Sequence, residues 1–268
     1  MTYRKTILLP LLLLLAFAQG AGAQEYISFY ADGDSRGLED MDTYNGQEVS
    51  AFTLNGRTLY KDKSWNTLCL PFNLTINSSV LHGAEARTLS SASFADGTLT
   101  LIFSEPVDEL QAGVPYIIKW NSEDSDLEYL NFGTVTLNTT LNPVTTNEWI
   151  DFVGNYETVT LSAATRTNLY LGTNNTLYYP SVDRTLGLCR AHFELKNGLT
   201  AGNPSSPLNA RAFVLNFGDQ STGITALSTD FKDSKDNTAW FNLDGRRFSG
   251  KPAHAGVYIN NGKKVVIK

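Results

Sequence analysis

Short runs of β-branched and aromatic residues recur along most of this chain, separated by Gly, Asn, Asp and Pro. The clearest cover residues 50–54, 65–72, 98–103, 116–120, 134–137, 150–153, 169–171, 177–179, 190–195 and 211–217. No window of about a dozen residues keeps a 3.6-residue apolar period, so the pattern predicts strands throughout and few helices. About ten short strands with turn residues between them predict an all-β fold, a β-sandwich of jelly-roll-like type.

The turns have mechanisms of their own. Asp96-Gly97 stands between two apolar runs and supplies the positive-φ residues that a two-residue hairpin needs. Gly172 to Asn175 is placed to fold residues 169–171 back onto 177–179. Pro115 opens the 116–120 run, where a missing N–H matters least. Residues 121–128 read as a polar, acidic loop, and 219–238 as a linker of Asp, Ser, Thr, Lys and Gly. Beyond it, 239–268 read as a small C-terminal β-hairpin tail, with Asn261-Gly262 as its hairpin signal.

The first twenty-three residues have a different pattern. Arg4 and Lys5 precede an apolar stretch from Ile7 to Phe17, and Ala21-Gly22-Ala23 ends it in an A-x-A cleavage pattern. That apolar stretch is about half the ~20 residues needed to span a bilayer. Residues 1–23 therefore read as a signal peptide and not as a transmembrane anchor. This leaves 24–49 as an N-terminal segment leading into a β domain at 50–218.

Charge divides the remainder. The chain holds 27 acidic and 21 basic residues, two of the basic ones in the leader. Residues 237–268 carry Arg246, Arg247, Lys251, Lys263, Lys264 and Lys268 against Asp244 alone, so an acidic body precedes a basic tail. The acidic balance argues against nucleic acid as a partner.

Candidate chemistry is sparse. Of the 3 His and 2 Cys, none falls in a metal-binding spacing, so neither a metal nor a cofactor is expected. An offset of three puts His192 on the opposite strand face from Cys189, which reads against a local nucleophile pair and leaves an exposed or half-buried histidine. Glu123, Asp124, Asp126 and Glu128 form the densest acidic cluster, a solvated charge run more than a catalytic pair. Asp32-Gly33-Asp34 lacks the later Glu of a calcium loop. No catalytic motif such as G-x-S-x-G or H-E-x-x-H is present, and the reading is of a non-enzymatic protein.

Two features leave alternatives open. Cys69 and Cys189 can close a loop of about 120 residues, stabilising by roughly 4–5 kcal/mol in the chain-entropy account, or can remain two buried thiols. Trp65, Trp120, Trp149, Tyr178 and Tyr179 are candidates for stacking on sugars, set against the usual burial of aromatics between sheets.

Several stretches carry a resemblance. Trp65-Asn66-Thr67-Leu68-Cys69-Leu70-Pro71-Phe72, Ala112-Gly113-Val114-Pro115-Tyr116-Ile117-Ile118-Lys119-Trp120, Cys189-Arg190-Ala191-His192-Phe193 and Leu215-Asn216-Phe217-Gly218-Asp219 together resemble a family of exported Bacteroidota proteins. The family places this module behind solenoid or adhesin-like regions and implies no catalytic residues. The tail resembles the C-terminal sorting domains of type IX secretion substrates. The likeness rests on Trp240-Phe241-Asn242-Leu243-Asp244-Gly245-Arg246-Arg247, then Ala255-Gly256-Val257-Tyr258-Ile259 and Lys263-Lys264-Val265-Val266-Ile267-Lys268. It implies an export role for Gly245, Arg246, Gly256, Tyr258, Lys264 and Lys268, with outer-membrane secretion machinery as the partner. The tail departs from the family in its shorter final segment and in Ala255, where Pro often stands, so a structural cap is the alternative.

Together these observations predict an exported surface or secreted protein with a structural or adhesive role. The rival is a carbohydrate-binding module that recognises a host or dietary glycan through its aromatics. The expected location is the cell surface or the medium, or the periplasm if the tail is not a sorting signal.

Overall fold

The run 65–72 has apolar residues at successive positions, as a strand covered on both faces requires. In the computed structural model it supplies the strand Asn66–Cys69, buried along its whole length. That strand pairs antiparallel with Pro115–Trp120, which pairs in turn with Ala84–Arg87. This three-stranded sheet separates two apolar cores. Tyr116, Ile118 and Trp120 belong to one core and Ile117 to the other, as strand alternation dictates.

The structure describes residues 26–30, 41–145, 148–172 and 175–218, and beyond these 225–226, 228–229, 240–242, 247–248, 256–260 and 263–267. The leader lies outside them, as do Asp32-Gly33-Asp34 and His254. The chain is all-β, a sandwich of several sheets, as the strand pattern predicts. One 3₁₀ turn, Ile76–Ser78, is part of the little helix among the described residues.

The first core centres on Phe52, whose ring lies 5.0 Å from Phe29 and 4.9 Å from Phe72. Its strand Ala51–Asn55 is flanked by Tyr26–Tyr30 and Leu130–Asn131. The described part of the 24–49 segment thus belongs to the sandwich: it contributes the strands Tyr26–Tyr30 and Glu48–Val49 and the buried Phe29, Met41 and Val49.

The second core is fed by two larger sheets. One has four strands in the order Thr225–Ala226, Ala212–Asn216, Thr98–Phe103 and Leu89–Ala95. Strict alternation along Thr98–Phe103 sends Leu99, Leu101 and Phe103 inward. The other has six strands, in the order Val144–Thr145, Ile150–Asn155, Arg190–Leu195, Asn168–Leu171, Leu177–Tyr179 and Ser228–Thr229. It contributes Phe152 and Phe193, directly opposite in register and stacked at 4.4 Å.

The turn chemistry is as predicted. Asp96 and Gly97, at φ +51° and +78°, join Leu89–Ala95 to Thr98–Phe103. Pro115 is the first residue of its strand. Tyr170 faces Tyr178 and Leu171 faces Leu177; residues 173–174 of the predicted turn lie outside the described residues.

Other features were not indicated by the pattern. Among the described residues four ladders are parallel: Tyr26–Tyr30 with Ala51–Asn55, Thr98–Phe103 with Ala212–Asn216, Leu177–Tyr179 with Ser228–Thr229, and Thr200–Ala201 with Asn209–Ala210. Part of the segment read as linker is strand, because Thr225–Ala226 and Ser228–Thr229 pair with the body. The tail is a four-stranded antiparallel sheet in the order Arg247–Phe248, Trp240–Asn242, Gly256–Asn260, Lys263–Ile267. Asn260 stands opposite Lys263, and Asn261-Gly262, read as the hairpin signal, lie outside the described residues.

Candidate functional site

The aromatics predicted to stack on sugars do not form an exposed row. Trp65 is only 5% exposed. Its ring lies on Phe217 at 4.9 Å, and the Lys119 ammonium stands 4.7 Å from its centroid. Trp120, 3% exposed, donates its Nε1–H to the His82 carbonyl at 3.0 Å. Tyr179 is 7% exposed, with the Arg166 guanidinium over its ring. Trp149 and Tyr178 are half-buried, against Phe94 at 5.4 Å and Tyr170 at 5.7 Å. Trp120, Tyr178 and Tyr179 lie in strands and Trp65 and Trp149 directly precede them, and each ring packs against the body of the protein. Among the described residues, the solvent-facing aromatics are Tyr60, 54% exposed, and Tyr129, 80% exposed. Their signal in the sequence is their setting: each adjoins a charged residue, Lys61 and Glu128 respectively, instead of an apolar run.

The two cysteines, distant in sequence, meet in the first core. The Cys69 N–H donates to the Cys189 carbonyl at 3.3 Å, and the Cys189 N–H donates to the Asn155 carbonyl at 2.8 Å. Both are buried free thiols. Tyr156, itself fully buried, donates its hydroxyl hydrogen to the Leu70 carbonyl at 2.9 Å and lies against the Cys69 thiol. Burial pushes the Cys69 thiol up to about 12, partly countered by the Tyr156 hydrogen bond. Burial, and then the neighbouring Cys69, push Cys189 up as well. Neither is a thiolate nucleophile at neutral pH in this fold.

His192 is not the exposed or half-buried residue predicted; only 2% of it reaches solvent. Its Nε2 lies 3.0 Å from Glu194 Oε1, two residues along on the same strand face. That hydrogen bond holds the Glu194 carboxyl below the usual glutamate range. The face argument does not reach Cys189, which precedes the strand and has φ +55°. The histidine's ring partner is a carboxylate and not the thiol.

The acidic loop is paired with lysines. Glu123 meets Lys63 at 3.0 Å, Asp124 meets Lys61 at 3.4 Å, and Asp126 accepts the Lys61 N–H at 2.8 Å. The Asp124 carboxyl is held low by the Ser125 N–H first and then by Lys61. Among the described residues no group of three or more His, Cys, Asp or Glu is placed to hold a metal ion.

On the first half of the fold lies a polar groove of about 560 Å³. Glu48, Asn73, Thr75, Ser79, Thr136 and Asn138 line it. Two short ladders build its walls. Val49 faces Val135 on the inner side while Glu48 faces Thr136 on the outer, and Leu74 faces Leu110 while Thr75 faces Glu109. Some groove groups serve the fold: Asn73 Oδ1 accepts the Ala112 N–H at 2.8 Å, and Ser79 Oγ donates to the Ile76 carbonyl at 2.8 Å. Sequence reasoning missed this groove because its residues come from four separate stretches.

Of the tail residues assigned an export role, Gly256, Tyr258 and Lys264 lie in the paired strands Gly256–Asn260 and Lys263–Ile267, and Tyr258 is buried. Gly245, Arg246 and Lys268 lie outside the described residues. No helix among the described residues is long and apolar enough to cross a membrane. Compared with protein families, curated proteins and solved structures, the chain shows no significant match.

Proposed function

We propose that this is an exported, non-enzymatic surface or secreted protein with a structural or adhesive role, whose basic tail directs it through outer-membrane secretion machinery. One observation carries the reading. The inner face of the sandwich is filled by two apolar cores, while the outer face of the first half offers a groove of hydroxyl and amide groups with one carboxylate, Glu48. That is the surface of a protein that makes contacts, with its ionisable groups engaged in structural pairs such as His192–Glu194 and Lys196–Asp151. The leader-like 1–23 and the sorting-like 239–268 supply the address. Deleting 237–268 in a Bacteroidota host traps the protein in the periplasm if the reading is right; surface delivery of the truncated form overturns the sorting role.

A second reading, glycan binding, is favoured by the groove and not by the buried tryptophans. Neutral hydroxyl and amide donors suit a ligand rich in hydroxyl groups, and Glu48 and Thr136 stand opposite each other on the outward side of their ladder. A glycan array probed with the full chain tests it. Signal that Thr136→Val and Glu48→Gln reduce supports the groove, and a flat array removes the reading.

A further inference from the structure

The two thiols of this chain, 69 and 189, belong to segments that share a direct backbone hydrogen bond. Hydrogen-bonded neighbouring segments lie about 5–6 Å apart. This falls within the Cα separation of about 4.4–6.8 Å over which a disulfide closes without moving the backbone. Three further observations fix the pair. Cys189 is held in the left-handed region at φ +55°, uncommon for a residue with a Cβ, and both its N–H and its carbonyl are engaged, by Asn155 and Cys69. Gly154 lies beside the Cys69 side chain so closely that a Cβ at 154 would overlap Sγ. The Tyr156 hydroxyl closes the remaining side.

We propose that Cys69 and Cys189, free thiols in the fold described above, are joined by a disulfide in the exported protein, cross-linking the two halves of the body at the end of the strand Asn66–Cys69. The bond forms by thiol–disulfide exchange with a protein disulfide oxidoreductase of the oxidising compartment. Two S–H bonds break and one S–S bond forms. Two protons and two electrons pass to the partner's disulfide, which becomes a dithiol. Both sulfurs are sealed from solvent in the finished fold, so exchange precedes closure of the first core. Once formed, the bond is shielded from reductants by the same packing. The proposal rests on the export reading for its oxidant alone.

The test uses the full chain in two arms. In the first, protein recovered from the periplasm or medium is denatured without reductant and alkylated. The expected result is no alkylated cysteine, a mass lower by two hydrogens than the dithiol, and a cross-linked peptide pair containing 69 and 189; reduction in denaturant restores two reactive thiols. In the second arm, reduced protein is unfolded and refolded in a buffer of reduced and oxidised glutathione. Linkage there with free thiols in the recovered protein refutes oxidation in export and upholds the pairing geometry. Two free thiols after refolding, with Cys69→Ser and Cys189→Ser variants melting at the wild-type temperature, overturn the pairing itself.

Discussion

The indole of Trp65 lies nearly parallel to the ring of Phe217, 25° apart in plane and 4.9 Å between centroids, so the residue before the strand Asn66–Cys69 packs on the residue after the strand Ala212–Asn216. Phe103 adds a second stacked ring against Phe217 at 5.2 Å. Trp65→Ala should destabilise by roughly 3–5 kcal/mol, as loss of a buried aromatic does. Urea denaturation followed by far-UV circular dichroism measures it. A change below about 1 kcal/mol would mean that the stack carries little of the sandwich.

Asn66 is a buried polar side chain bonded to backbone groups on both sides of its strand, with Tyr60 as its short-range partner. Its Oδ1 accepts the Tyr60 N–H at 2.9 Å and its Nδ2 donates to the Tyr60 carbonyl at 2.9 Å. Asn66→Ala leaves both Tyr60 groups without these partners and should cost roughly 2–3 kcal/mol. Asn66→Asp retains the acceptor, loses the donor and adds a charge, and should cost at least as much. Equal melting temperatures for Asn66→Asp and wild type at neutral pH would contradict this account.

Gly154 faces the Cys69 side chain with no room for a methyl group. Gly154→Ala should therefore destabilise by about 1–3 kcal/mol through overpacking. Replacing Cys69 by Ala in the same chain removes the sulfur and should recover part of that loss. A double-mutant cycle measured by denaturant unfolding reads the coupling, and strictly additive effects would show that the two do not touch.

Glu194 is held low mainly by its hydrogen bond to His192. For a depressed carboxylate, the stability contribution is present above its ordinary value of 4.5 and is lost as pH falls through the lower folded value. Stability should therefore fall on acidification below that point, and Glu194→Gln should flatten this part of the curve. Melting temperature against pH for the two proteins tests it. Parallel curves would assign the acid limb to other carboxylates.

Much of the body could be read from the chain because its signals are local. Asp96-Gly97 reverses the chain where the dipeptide allows positive φ, and the alternation along 98–103 set which residues face inward. The site was harder. Trp65 and Trp120 look identical in sequence whether a ring meets solvent or Phe217. His192 was misjudged because the cover on its strand face comes from elsewhere in the chain.

The order of apolar and turn residues alone determined that this protein is built of strands, where most of them lie and where the chain reverses, since these depend on spacing over a few residues. Only tertiary structure decided which strands pair in parallel, which faces are covered twice, and that residues 69 and 189 share a hydrogen bond. Those outcomes depend on contacts between segments far apart in the chain. No local pattern records such contacts, because they arise when two cores close around one shared sheet.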